Sequence, residues 1–214
     1  MSGYLLKFKQ QYSVKIGGRR YPVVKIGNQL WMAENLDWKF DVNGSQIPVG
    51  GNVSNDPHAW YYNGSETDYG IDGTYKCGLL YNWYAVKYLD DNKATLIPDG
   101  WHVPASSEWD VLASTVGGSS TAGTKLKADD NSVISGFPSG WNGTNDYDFS
   151  VLPAGRCSGN TSDFVGTYAF FWTSTLYGDS SRARFKRFGT VAYMYSDHNP
   201  STYGYSLRLV KSLT

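Results

Sequence analysis

The sequence predicts an α+β fold, and three observations carry that prediction. Period-two hydrophobic segments broken by glycine pairs open the chain, two stretches of helical spacing occupy its middle, and aromatic and apolar strand-like runs close it. Strands that precede and follow the helices, rather than alternating with them, belong to an α+β arrangement. The 24 glycines, scattered among Asn and Asp, imply many turns, and an aromatic content of 16% supplies large side chains for cores and contacts.

Residues 12–32 alternate in polarity. Tyr12-Ser13-Val14-Lys15-Ile16 leads into a Gly17-Gly18 turn, Arg19 to Ile26 follows, and Gly27-Asn28 precedes Gln29-Leu30-Trp31-Met32, the pattern of consecutive antiparallel strands. Residues 41–76 have no period apart from a short strand at Trp60-Tyr61-Tyr62, and they read as a long surface loop. Asp56, Glu66, Asp68 and Asp72 offer the oxygen ligands that calcium takes, but they do not follow the twelve-residue acidic loop pattern, so neither a metal site nor a cofactor is assigned.

Leu80, Trp83, Tyr84, Lys87 and Tyr88 fall at i, i+3, i+4, i+7 and i+8, which predicts a helix over 78–88 with an aromatic face inward. After Pro104, Ser106 or Ser107 reads as an N-cap and Glu108 and Asp110 fall in the first turn. Trp109, Leu112, Ala113 and Val116 then form an apolar stripe that stops at Gly117-Gly118. Residues 132–155 read as turns and short strands. The end of the chain reads as three strands, Phe171 to Ser174, Ala183 to Phe188 and Tyr205 to Lys211, with Val191 to Tyr195 as a candidate fourth.

Length and composition fit one folded domain over 20–214, preceded by an N-terminal strand or extension over 1–19. The 19 basic and 19 acidic residues cancel, so no global field draws the chain to nucleic acid or to an anionic membrane, and no apolar run is long enough to insert into a bilayer. Met1 to Lys9 contains no apolar signal-peptide core and no cleavage site. Cys77 and Cys157 lack metal-ligand spacing; a disulfide and a pair of free thiols both fit them. His58, His102 and His198 are isolated in the sequence, and His102, flanked by Trp101 and Val103, reads as a hydrogen-bonded structural residue. Nucleophile elbow, P-loop, HExxH and dinucleotide patterns are all missing, so the expectation is a protein that is not an enzyme.

Recognition is what the last fifty residues favour. The run from Leu176 to Tyr203 is rich in Tyr, Ser, Asn, Gly and Arg, the residues that dominate adaptable binding surfaces. Tyr177, Tyr193, Tyr195 and Tyr203 are the candidate contact aromatics, with Asp179, Arg182, Arg184, Asp197, His198 and Asn199 as the polar contacts around them. Strand alternation places Arg182, Arg184 and Lys186 on one face, outward if Ala183 and Phe185 pack inward, and Arg187 on the other. It likewise sets Tyr193 and Tyr195 opposite Ala192 and Met194.

Several segments together resemble the Fibrobacter succinogenes major paralogous domain family. They are Val24 to Leu36, Gly78-Leu79-Leu80-Tyr81-Asn82-Trp83-Tyr84-Ala85-Val86, Pro98-Asp99-Gly100-Trp101-His102-Val103-Pro104, Ser107-Glu108-Trp109, Leu152-Pro153-Ala154-Gly155-Arg156, Phe171-Trp172-Thr173-Ser174-Thr175 and Ser206-Leu207-Arg208-Leu209-Val210. The entry to the second helix and the closing Leu207-Arg208-Leu209-Val210 are also similar to formylglycine-generating-enzyme-like domains. The resemblance implies a C-type lectin-like fold with N- and C-terminal strands paired and the last hairpin and loops exposed. It assigns Trp31, Trp83, Trp101, Trp109 and Trp172 to the scaffold. Residues 176–203 occupy the place that mutated codons take in the variable proteins of diversity-generating retroelements. The partner so implied is a protein or glycan on a cell surface, and the location is extracellular, on a cell surface or on a phage virion. Two rival expectations are a fixed carbohydrate-binding or structural cell-envelope domain and a formylglycine-generating-type enzyme. The enzyme family's paired cysteines near the C-terminal end have no counterpart after Cys157.

Overall fold

The structure, a computed structural model, describes residues 12–52, 54–62, 70–71, 75–129, 140–159 and 161–213. Residues 1–11, the acidic Glu66, Asp68 and Asp72, and residues 132–139 lie outside the described residues. In chain order the first strands are β1 (Tyr12–Ile16), β2 (Arg19–Ile26), β3 (Gln29–Met32), β4 (Asp41–Val42), β5 (Ser45–Gln46), β6 (Ala59–Tyr61), β7 (Gly70–Ile71), β8 (Tyr75–Lys76) and β9 (Leu79–Tyr81). Helices α1 (Trp83–Asp91) and α2 (Lys93–Leu96), strand β10 (Trp101–His102), and helices α3 (Ser106–Thr115) and α4 (Ser119–Leu126) follow. The chain closes with β11 (Arg156–Ser158), β12 (Thr161–Asp163), β13 (Ala169–Tyr177), β14 (Asp179–Phe188), β15 (Tyr195–Pro200) and β16 (Val210–Ser212). The architecture is α+β and mostly antiparallel.

The opening meander forms as its alternation demands. β1, β2 and β3 pair antiparallel in register, with the inward residues Val14, Ile16, Tyr21, Val23 and Ile26 all buried. β16 then pairs with β3 and β10 with β16, giving a five-stranded sheet in the order β1-β2-β3-β16-β10. Tyr12–Ile16, within the N-terminal strand or extension, forms the edge strand of this sheet. The C-terminal strand returns beside the third strand of the chain.

Three expectations about elements are corrected. Leu79 to Tyr81 is strand β9 paired with β6, so the first helix starts at Trp83 rather than at 78; Asn82 caps it, its side-chain oxygen accepting from the Ala85 N–H at 2.9 Å. Helix α3 begins at Ser106 with Ala105, not a serine, at the cap position, and the Glu108 carboxylate reaches back to accept the Ala105 N–H at 2.9 Å. The stop at Gly117-Gly118 holds, since α3 ends at Thr115 and the Gly118 amide closes onto the Ala113 carbonyl at 2.8 Å, and a further helix, α4, starts at Ser119. Residues 41–76 are not only a surface loop, since β4 pairs with β5 and β6 with β9, and Ile47, Ala59, Trp60 and Tyr62 are buried.

A second, three-stranded sheet, β13-β14-β15, dominates the C-terminal half. Val191 to Met194 is not a strand; the third strand is Tyr195–Pro200. Tyr205 to Leu209 is not regular strand either, yet its backbone stitches the halves together. The Tyr205 and Tyr81 amides donate to each other's carbonyls at 2.9 and 2.8 Å, the Ser206 amide donates to the Phe170 carbonyl at 3.0 Å, and the Leu36 amide donates to the Leu207 carbonyl at 2.8 Å. All five tryptophans assigned to the scaffold, Trp31, Trp83, Trp101, Trp109 and Trp172, are buried.

Both faces of β13-β14 are covered near their Phe170 end. Phe170, Trp172, Ala183 and Phe185 pack into the core beneath Tyr205, whereas Phe171 and Phe188 pack against Trp109 of α3. The strands therefore read as continuous apolar runs here instead of clean alternation. Beyond Trp172 the register shifts through a bulge, and the hairpin leaves the core.

Candidate functional site

The hairpin and β15 carry most of the residues predicted to make contacts, and strand pairing divides them between two faces. On the first face, Arg184 pairs with His198 and Arg182 with Pro200. The Tyr177 and His198 rings stack with centroids 3.5 Å apart and planes 9° from parallel. The Arg184 guanidinium lies 5.1 Å from the Tyr177 centroid, and an Arg182 Nη1 lies 3.3 Å from His198 Nδ1. Asp179 sits at the turn, its carboxylate accepting from the Ser181 amide and hydroxyl; these bonds hold its pKa below the ordinary value.

Lys186 shares this face by alternation but does not point to solvent. Its side chain is fully buried, donating to Asp110 of α3 and to Ser196 of β15, each at 2.6 Å. The expected outward row of three cations is thus two cations and one buried tie between the sheet and α3. Helix α3 covers the sheet at this point, which alternation alone cannot report.

On the second face stand Tyr195, Asp197 and Asn199 of β15, opposite Arg187, Phe185 and Ala183 of β14. The Arg187 guanidinium lies between two rings, 4.7 Å from the Tyr195 centroid and 5.1 Å from that of Tyr168. Tyr193 stands 5.7 Å from Tyr195, and Phe164 stands 5.4 Å from Tyr168. The Arg156 guanidinium packs on Phe164, Phe170 and Tyr203 while its Nε stays 3.7 Å from the Asp163 carboxylate. Tyr203 is half-buried, and Asn199 donates to the Tyr205 hydroxyl at 2.6 Å, so these two lean on the scaffold. Burial pushes the Tyr205 phenol well above its ordinary pKa, against the hydrogen bond from Asn199, and keeps it a neutral strut.

Phe164, Tyr168, Arg156 and Arg187 are missing from the sequence-based contact set. Alternation does put Arg187 opposite Arg184, but only the chain's return through β11, β12 and residues 164–168 brings the other three beside it.

Rigid backing lies behind the exposed rings. The Met194 amide donates to the Ser119 carbonyl at 2.9 Å, and a Cβ on Gly123 of α4 would stand 2.4 Å from the Ala192 carbonyl oxygen, so loop and helix touch backbone to backbone. The buried Lys127 ammonium donates to the Gly189 carbonyl at 2.6 Å and the Val191 carbonyl at 3.2 Å. Deeper still, Arg208 is buried and donates to Asn35 Oδ1 at 2.9 Å, to the Met32 and Phe149 carbonyls, and to the Ser150 carbonyl at 2.9 Å. Burial lowers its pKa to about 9, so it remains a cation at neutral pH.

Other polar groups bond within the scaffold. His102 bonds Glu108 at 2.7 Å through Nε2, with Nδ1 3.3 Å from the Gly100 carbonyl, so both ring nitrogens of the imidazolium face acceptors. The bond to Glu108 raises the His102 pKa; Glu108 is pushed up by burial but held below its ordinary value by the combined bonds from His102 and the Ala105 amide. His58 bonds the Gly50 carbonyl. Cys77 and Cys157 are both buried and are not joined to each other in a disulfide, and burial raises the Cys157 pKa to about 11. Among the described residues no three His, Cys, Asp or Glu side chains converge as a metal site, and no helix is long and apolar enough to cross a membrane.

These features define an antiparallel α+β domain with a fixed aromatic core and a C-terminal sheet that exposes rings and guanidinium groups. The chain belongs to the Fibrobacter succinogenes major domain family, whose profile matches residues 24–211. It matches no curated protein and no solved structure.

Proposed function

We propose that this chain is a non-enzymatic recognition domain, a C-type lectin-like scaffold that presents its C-terminal sheet to a protein or glycan on a cell surface, acting outside the cell or on a virion and needing no cofactor. The observation that carries the reading is the exposure of Tyr177, Tyr193 and Tyr195 (40, 50 and 41%), the last two flanking Met194, whose amide ties the backbone to α4. Large rings that stay in water cost solubility without filling a core, and rings on a fixed backbone lose little entropy on binding. Cys157 supports the same reading, since a buried thiol with its pKa near 11 is a poor nucleophile at neutral pH. Diversification within 176–203 also fits, restricted to exposed positions such as Leu176, Tyr177, Asp179, Arg182, Val191, Tyr193, Tyr195 and Asp197, because Ala183, Phe185, Lys186, Phe188 and Met194 are buried.

The test is binding of the labelled domain to intact cells by flow cytometry, comparing wild type with a Tyr193→Ala/Tyr195→Ala variant. The variant should lose most binding while its Tm stays within about 4 °C, because truncating exposed side chains changes stability by roughly 1 kcal/mol or less. Undiminished cell binding by the double variant refutes the assignment of this surface.

A further inference from the structure

We infer that Arg187 is the carboxylate-reading centre of a calcium-independent subsite for acidic sugars, formed on the second face of the C-terminal sheet by Phe164, Tyr168, Tyr193 and Tyr195. The inference rests on the recognition reading above and gives it a ligand class.

Arg187 lies between Tyr168 and Tyr195, at 5.1 and 4.7 Å from their centroids, and makes no hydrogen bond or ion pair with any described residue. Two rings flank the guanidinium and no described residue takes its N–H groups, which leaves them to grip a carboxylate through two parallel bonds. The neighbouring Arg156 is differently placed. It has Asp163 at 3.7 Å and three rings around it, which makes it part of the wall.

The surrounding rings choose the ligand class. Phe164 and Tyr193 are 44 and 50% exposed at the two ends of the run Phe164, Tyr168, Arg187, Tyr195, Tyr193. Flat rings on both sides of one cation suit sugar units, whose C–H faces lie on aromatics, with one carboxylate between them. A polyphosphate suits the surface poorly, because a single guanidinium is offered on a chain with no net charge. A peptide added as an extra strand also fits poorly. The bond from the Ser201 amide to the Ser181 carbonyl continues the ladder, so alternation turns the Ser196 and His198 amides toward the free edge of β15. Of these, the His198 amide is taken by the Asp197 carboxylate at 2.8 Å, and Pro200 has no N–H to offer.

The test uses the full chain in EDTA and isothermal titration calorimetry with three probes: a galacturonic acid hexamer, the same hexamer methyl-esterified, and hexaglutamate. The acidic hexamer should bind at least tenfold more tightly than its ester and than hexaglutamate, about 1.4 kcal/mol or more. Arg187→Lys should weaken it about tenfold by removing the planar fork, and Arg187→Gln should abolish the preference for acid over ester. Equal affinity for acid and ester, no binding of the acidic hexamer, or an acid preference retained by Arg187→Gln overturns the inference. Hexaglutamate binding as tightly as the sugar assigns the site to acidic peptides and overturns the sugar class. None of these results refutes the recognition reading, which stands or falls on cell binding by the Tyr193→Ala/Tyr195→Ala variant. The comparison of acid with ester on the wild-type chain needs no variant to fold.

Discussion

Replacing Arg208 with Met tests the claim that a buried cation, rather than a hydrophobic plug, locks the scaffold behind the sheet. The guanidinium donates to four acceptors, Asn35 Oδ1 and the carbonyls of Met32, Phe149 and Ser150, and it packs 4.5 Å from the Phe149 centroid and 5.4 Å from that of Phe171. Each acceptor stranded without its donor costs about 1–3 kcal/mol. The sum is an upper bound, because removing the cation also relieves the desolvation that lowers its pKa to about 9. Methionine refills part of the volume, so a net loss of about 3 kcal/mol is expected. For a chain of this size that corresponds to a fall in Tm of roughly 6–12 °C. Urea unfolding followed by tryptophan fluorescence, with Tm from circular dichroism, measures it. Arg208→Lys should fall between the two, since an ammonium keeps the charge but cannot span four acceptors around a plane. A Met variant within about 0.5 kcal/mol of wild type would show that the four bonds contribute nothing net and that the reasoning is wrong.

The His102–Glu108 pair gives stability a pH signature. His102 is raised above its ordinary 6.5, so its contribution is complete below that value and is lost as pH rises through the folded-state pKa. Glu108 is lowered below its ordinary 4.5, so its contribution is present above that value and is lost as pH falls through the folded-state pKa. His102→Gln should therefore flatten the decline of Tm as pH rises above 6.5 and weaken the acid limb as well, because His102 supplies part of what lowers Glu108; an unchanged alkaline limb would count against the pair. Sequencing sibling genes checks diversification: substitutions at adenines of a nearby template repeat should collect at the exposed positions of 176–203 and spare codons 183, 185, 186, 188 and 194. Variation no greater than in the scaffold removes that idea.

Much of the scaffold was legible because its signals are local. The meander from Tyr12 to Met32 follows from two-residue alternation and Gly-containing turns, and α3 follows from a stripe of Trp109, Leu112, Ala113 and Val116. Leu80 shows the limit. Its spacing from Trp83 and Tyr84 satisfies a helix, but β6 offers Leu79 to Tyr81 a strand partner, and Asn82 starts the helix afterwards. A short apolar run fits either period, and the neighbour decides.

By itself the sequence determined the α+β class, the family, the five buried scaffold tryptophans and the concentration of Tyr, Ser, Asn and Arg in 176–203. Only the tertiary structure decided which of those side chains meet solvent and which meet one another. Alternation assigns each residue of β14 to one of two faces, but burial depends on what lands on that face. Helix α3 lands on Lys186 and turns a surface cation into a buried tie to Asp110, while residues 164–168 return beside Arg187 and leave its guanidinium between two rings. Those contacts join residues far apart in the chain, so no local pattern encodes them; they arise from how the sheets, helices and loops share one core.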